Sequence, residues 1–174
     1  MKTLSVTLLL LLYTVSGAVA QVKDSVKKEG GLEWHTDLMK AHELSQSTGK
    51  PIFAFFTGSD WCGWCKKLQA HVFAKPEFVE WAKKNVILLE LDFPRSKEQS
   101  PELKQQNQSL QQAFGIQGYP TIWMFYMQKD PNAAKFNIDA VGSLGYPQGA
   151  TPGNEQAKFI KDGDELLKKR AVTK

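Results

Sequence analysis

Three short, almost wholly apolar runs stand out along the chain, at residues 52–56, 86–91 and 121–127, with stretches of helical periodicity between them. A continuous apolar run bounded by turn residues is consistent with a strand covered on both faces. A weaker alternation over residues 135–141 predicts a fourth strand, and Leu32-Glu33-Trp34 a short edge strand. Apolar residues at helical spacing predict helices over 37–47, from about Gly63 through Val72, and over 76–84. Thr48-Gly49-Lys50-Pro51 stops the first of these. Ser100 can cap a further helix, Pro101 suits its first position, and Gly115 ends it after Phe114. Residues 154–170 predict a terminal amphipathic helix, which Gly163 should weaken. Residues 142–153 are rich in Gly and Pro and read as loop. This alternation argues for one α/β domain over 32–174, with helices on both faces of the sheet.

The N-terminus follows another pattern. Lys2 precedes an apolar run over 4–15, and Ser16-Gly17-Ala18-Val19-Ala20 supplies small residues ending in Ala-x-Ala. That is the layout of a cleavable secretory signal over 1–20, cut after Ala20. As a retained anchor the run is short, since a span needs about 20 apolar residues. Residues 21–31 are polar, Lys-rich and glycine-ended, and read as a flexible lead-in. Removal of Lys2 with the signal lowers the formal net charge from +4 to +3. The cluster Lys168-Lys169-Arg170 reads as a solvated helix end. No basic stripe interleaved with aromatics points to nucleic acid.

Export changes how the two cysteines read. They stand in Trp61-Cys62-Gly63-Trp64-Cys65-Lys66-Lys67, where a predicted strand gives way to a predicted helix. A disulfide across so short a loop constrains the unfolded chain little, so a structural staple explains it poorly. Zinc needs about four ligands. Here there is no second cysteine pair, and His35, His42 and His71 are isolated. Reversible thiol–disulfide exchange remains the expectation. The thiolate is the reactive form, and a helix start favours negative charge. Cys62 is therefore the expected nucleophile. Cys65, one turn further on the same face, is the expected resolving thiol. Gly63 leaves the approach to Cys62 open. Trp61 and Trp64 would wall the site with apolar surface, although Trp64 serves equally well as packing. Lys66 and Lys67 read as solvent-facing.

A second motif, Gly115-Ile116-Gln117-Gly118-Tyr119-Pro120-Thr121, precedes the third apolar run. Taken with the cysteine motif, it makes residues 32–168 resemble the thioredoxin superfamily, and most closely its exported bacterial disulfide reductases and isomerases. The resemblance implies a central mixed sheet of four to five strands flanked by helices on both faces. It implies a cis Tyr119–Pro120 bond against the cysteines, and backbone at Tyr119 pairing with an extended substrate. Proline there would also keep a metal-binding residue away from the sulfurs. Two departures stand out. Thioredoxins proper carry a buried aspartate six residues before the first cysteine, where this chain counts back to Phe56, and a lysine on the next strand, aligned with Leu88. Asp60 and Glu90 are nearby in sequence, but neither recommends itself as an essential base.

The expected function is an exported thiol–disulfide oxidoreductase acting on protein disulfides, periplasmic or secreted, and a reductase or isomerase rather than a strong oxidase. No cofactor is needed, because the cysteines carry the electrons. A reductant outside the cytoplasm implies a membrane electron donor, and a monomer is expected. The alternatives are a non-catalytic binding module beside Tyr119–Pro120, which would not need both cysteines, and soft-metal (copper) delivery, against which Pro120 and the lack of a third ligand argue.

Overall fold

The computed structural model describes residues 25–133 and 135–172. The predicted leader and its cut after Ala20 lie outside the described residues. The first described element is one the sequence reading places in a flexible lead-in. β1 (Lys27–Glu29) pairs antiparallel with β2 (Leu32–Trp34) around Gly30-Gly31. All three residues of β1 are exposed, so no apolar signal marks it. His35 continues from β2. Its N–H donates to the Leu88 carbonyl at 3.0 Å, and its carbonyl accepts from the Glu90 N–H at 2.8 Å.

α1 (Leu38–Thr48) begins at Asp37, whose carboxylate accepts from the Met39 and Lys40 N–H groups, and ends at Gly49 in the left-handed region. β3 (Ile52–Thr57) follows and is buried at every position. α2 (Gly63–Leu68) continues into a π-helical turn, Gln69–Phe73. Then come α3 (Pro76–Asn85), β4 (Ile87–Asp92), α4 (Pro101–Ala113, capped by Ser100), β5 (Thr121–Lys129), β6 (Phe136–Leu144) and α5 (Glu155–Val172).

The main sheet runs β4-β3-β5-β6. β3 and β4 are parallel, and β5 is antiparallel to β3 and to β6. With the His35 bridge beside β4, the mixed sheet of four to five strands is observed. Successive strand residues point to opposite faces. Phe53, Phe55, Leu88, Ile122 and Met124 pack with Leu68, Val72, Phe78 and Phe159 on the face that carries both cysteines. Ile52, Ala54, Phe56, Leu89, Leu91 and Phe125 pack with Ala41 and Leu110 on the other. Fully burying one such side chain is worth roughly 1.5–3 kcal/mol, so β3, buried throughout, anchors the domain.

Two glycines carry more than the sequence reading gave them. β6 runs through Gly142 to Leu144, three residues beyond its predicted end. Gly142 has φ +154°, next to a register shift between Met124 and Phe125, and a Cβ there would collide with Leu166 of α5. Gly163, read only as a helix-weakening residue, gives α5 its approach to α3. A Cβ would fall 2.9 Å from Trp81 Cζ2.

Candidate functional site

The cysteine pair lies at the end of the sheet where β3 and β4 finish, β5 begins and β6 finishes, a geometry that follows from the pairing directions. The loop leaving β3 is tightly tied. The Cys62 N–H donates to the Gly58 carbonyl at 2.8 Å. Ser59 donates through its N–H and its hydroxyl to the Asp92 carboxylate, at 2.8 and 2.6 Å. A Cβ on Gly58 would strike the Trp61 indole, so the ring lies close against that backbone.

Cys62 and Cys65 form a disulfide with Cα atoms 5.3 Å apart. Cys62 is the N-cap of α2, and its Sγ accepts the Cys65 N–H at 3.1 Å. It retains slight exposure (5 %), whereas Cys65 has none. The space beside Gly63 is empty. A thiolate on Cys62 would thus keep a backbone donor from the helix start, which stabilises the charged form.

Two aromatic pairs stand at the site. Trp61 meets Tyr119 edge to face with centroids 5.6 Å apart, and its indole N–H donates to the Phe93 carbonyl at 2.8 Å. The Arg95 guanidinium lies 4.0 Å from the Trp61 ring centroid. Trp64, half exposed, meets Tyr146 at 5.1 Å, with the Lys67 ammonium 4.3 Å from its ring. The Tyr146 hydroxyl shares a 2.8 Å hydrogen bond with His71 Nδ1. Desolvation, with the Glu155 carboxylate adding to it, pushes the Tyr146 phenol up. Tyr119 is likewise raised by burial, against the effect of the Gln111 amide that donates to its hydroxyl at 2.6 Å. The Tyr119–Pro120 bond is cis.

All seven residues singled out in the sequence (Trp61, Cys62, Gly63, Trp64, Cys65, Tyr119 and Pro120) fall at this end of the sheet. Phe93, Arg95 and Tyr146 were missed, because they come from loops with no local motif, and His71, read above only as an isolated histidine, reaches Tyr146 from the π-helical turn that continues α2. Counting back six residues from Cys62 lands on Phe56, but that ring faces away, packed with Phe93 and Phe114. The β3 residue on the cysteine face is Phe55, paired in register with Glu90. The face is set by strand alternation, not by distance to the cysteine.

Two carboxylates near the site in sequence have structural roles. Asp60 accepts from the Arg95 N–H, the Ser96 N–H and the Ser96 hydroxyl. The Ser96 bonds are the main cause that lowers it from an ordinary 3.8 to about 2, far too low for a proton acceptor near neutral pH. Glu90 is pushed up by burial, an effect the Lys27 ammonium 3.4 Å away partly offsets and Asp92 reinforces.

Residues 38–131 match the family described as Thioredoxin-like domain. The chain belongs to that thioredoxin-like family. With both cysteines intact on that fold, it is a thiol–disulfide oxidoreductase. This thioredoxin-like chain is 34% identical over 115 residues to the disulfide bond reductase DsbH of Chlamydia pneumoniae, covering 66% of its own length and 68% of that protein. It is 28% identical over 163 residues to the thioredoxin-related protein DsbJ of the same organism, covering 94% of its own length but only 44% of DsbJ. Among solved structures, the DsbH oxidoreductase superposes with a TM-score of 0.63 at 29% identity, over 79% of this chain and 85% of the other.

Proposed function

We propose that the chain is an exported protein-disulfide reductase or isomerase, released after Ala20 into the periplasm or medium and working as a monomer. Cys62 attacks and Cys65 resolves. The observation that carries the assignment is the asymmetry of the pair. Cys62 caps the helix, accepts the Cys65 N–H and lies next to open space at Gly63, whereas Cys65 is wholly buried.

In the reduced protein the Cys62 thiolate attacks one sulfur of a client disulfide. A Cys62–client S–S bond forms, the client's own S–S bond breaks, and one client sulfur leaves as thiolate. Cys65 then gives up its proton and attacks Cys62 Sγ. The Cys62–Cys65 disulfide forms and the second client thiolate departs. Two electrons have passed from the pair to the client. Trp61, Gly63, Trp64, Tyr119 and Pro120 bind the client around this centre, with the Tyr119 backbone pairing to an extended segment. A membrane-bound donor re-reduces the pair. The likeness to DsbH, named a disulfide bond reductase, supports the direction of transfer.

The deciding experiment is insulin reduction with dithiothreitol as donor, run on the wild type, Cys62→Ser and Cys65→Ser. Turnover is expected in the wild type alone, with Cys65→Ser trapping a mixed disulfide. A client bound equally well by both variants, without wild-type turnover, would favour a pure binding module. A reduction potential at or above that of strong oxidants, about −120 mV, would reverse the direction.

A further inference from the structure

Thr57, the last residue of β3, is fully buried, and its Oγ1 has no hydrogen-bond partner among the described residues. Alternation along β3 puts Thr57 with Phe53 and Phe55 on the sheet face that carries both sulfurs. Register fixes its neighbours across the sheet. Asp92 of β4 lies on one side, and on the other Pro120 stands one step beyond the Phe56–Thr121 pair. The chain then turns back at once, because the next residue, Gly58, gives its carbonyl to the Cys62 N–H at 2.8 Å. Thr57 thus belongs to the floor of the redox site, where a buried hydroxyl without a partner is costly.

The two sulfurs differ in their surroundings. Cys62 Sγ accepts the Cys65 N–H, whereas among the described residues no hydrogen bond reaches Cys65 Sγ, and Cys65 has no exposure. In the disulfide this costs little, since that sulfur has no proton to give and accepts only weakly. In the reduced protein Cys65 carries an S–H, and in the resolving step it becomes a thiolate away from water, a charge that needs a donor. A hydroxyl can serve both states, because its hydrogen rotates to suit. The carboxylates of Asp92 and Asp60, at this end of the sheet, are turned instead to Ser59 and to the 95–96 backbone.

We propose that Thr57 becomes the hydrogen-bond partner of Cys65 once the disulfide opens. Its Oγ1 accepts from the Cys65 thiol, and its hydroxyl donates to the thiolate as the resolving attack begins. The bonds made and broken are those already written. Cys65 loses its proton, its sulfur bonds to Cys62 Sγ, and the Cys62–client bond breaks. The client sulfur leaves with the electron pair and takes up a proton. Thr57 is therefore a catalytic group for resolution. Because it serves only the open form, it also stabilises the dithiol over the disulfide. This role rests on the assignment of Cys65 as the resolving thiol.

The test compares the wild type with Thr57→Val, which has the same shape without the hydroxyl, and Thr57→Ser, which keeps it. Each reduced protein is mixed in a stopped flow with an aromatic disulfide that releases a coloured thiolate. The first phase, attack by Cys62, scales with reagent concentration. The second, attack by Cys65, does not, and is absent in Cys65→Ser. Thr57→Val should slow the second phase by about tenfold and leave the first unchanged, as expected for loss of one hydrogen bond to a charged sulfur. In a dithiothreitol redox buffer the same variant should shift the equilibrium toward the disulfide by about tenfold, a potential about 30 mV more negative. Thr57→Ser should restore both readouts. In urea, Thr57→Val should be at least as stable as the wild type when oxidised and should lose that advantage when reduced. An unchanged second phase and potential in Thr57→Val would overturn the proposal. So would an equal stability change in both redox states, the mark of a hydroxyl bonded elsewhere. No second phase in the wild type would instead sink the resolving role of Cys65.

Discussion

Replacing Gly163 with alanine pits helix propensity against packing. In the interior of α5 alanine is intrinsically better than glycine by about 0.8–1.0 kcal/mol. The structure argues for the opposite net sign. The new methyl would sit 2.9 Å from Trp81 Cζ2 and 3.1 Å from Cη2. The indole cannot swing away cheaply, because its N–H donates to Asp164 at 2.8 Å and its ring packs against Phe78 and Phe53 at 5.7 and 6.5 Å. Overpacking such a site costs typically about 1–3 kcal/mol. The net expectation is a loss of about 1 kcal/mol, or a fall in Tm of roughly 2–4 °C for a domain of this size. The assay is urea unfolding of the oxidised protein by far-UV circular dichroism, checked for an unchanged slope. Trp81→Phe provides the second arm. It removes the clashing half of the ring, so Gly163→Ala in that background should stabilise by up to about 1 kcal/mol. The two arms give a coupling of about 1–3 kcal/mol, within the range for residues in contact. A stabilising Gly163→Ala in the otherwise unchanged protein would refute the reasoning and reduce Gly163 to a weak helix residue.

Three further outcomes are expected. Thr57 is fully buried and its hydroxyl has no partner among the described residues, so Thr57→Val should raise stability by about 1 kcal/mol; a loss of that size would mean that the hydroxyl is bonded after all. Asp60 has its folded value lowered from 3.8 to about 2, so its contribution is present above pH 4 and lost as pH falls toward 2; Trp61 fluorescence should report loosening of the 95–96 loop in that window, and Asp60→Asn should show the loosened signal at pH 7. Glu90 is shifted the other way by burial, so its contribution is lost as pH rises through its raised value; Glu90→Gln should gain stability relative to the wild type between pH 4 and pH 8, and a variant that loses ground over that range would show that the Lys27 pair outweighs burial.

The parts of the fold legible in the sequence are those in which burial is local. Residues 52–57 and 87–92 announce themselves because both sheet faces are covered and nearly every position is apolar. Asp37, Ser100 and Gly49 mark helix ends because capping needs those side chains or that backbone freedom at that place. β1 was invisible because its three residues all face solvent and are held by strand pairing and by ion pairs such as Lys27–Glu90, neither of which leaves an apolar pattern. The last residues of β6 were hidden by Gly142, a loop signal in composition but a close-approach residue against Leu166. The cysteine motif was legible because its chemistry lies within four residues. Arg95 and Tyr146 reach the same place from loops more than thirty residues downstream of Cys62, so only the sheet topology reveals them. The face on which Phe56 lies has the same origin: it follows from the pleat of β3 and not from a count along the chain.

The hairpin and His35 have a consequence for behaviour at high concentration. His35 engages the middle of β4, at the Leu88 carbonyl and the Glu90 N–H, so that flank of the sheet offers a neighbour only an interrupted row of backbone groups. Among the described residues β6 is the remaining flank. A particle with one sticky border can join a twin border to border, and then it is satisfied. Stacking onward into a fibril, which needs two open borders, is hindered by His35 on the other flank.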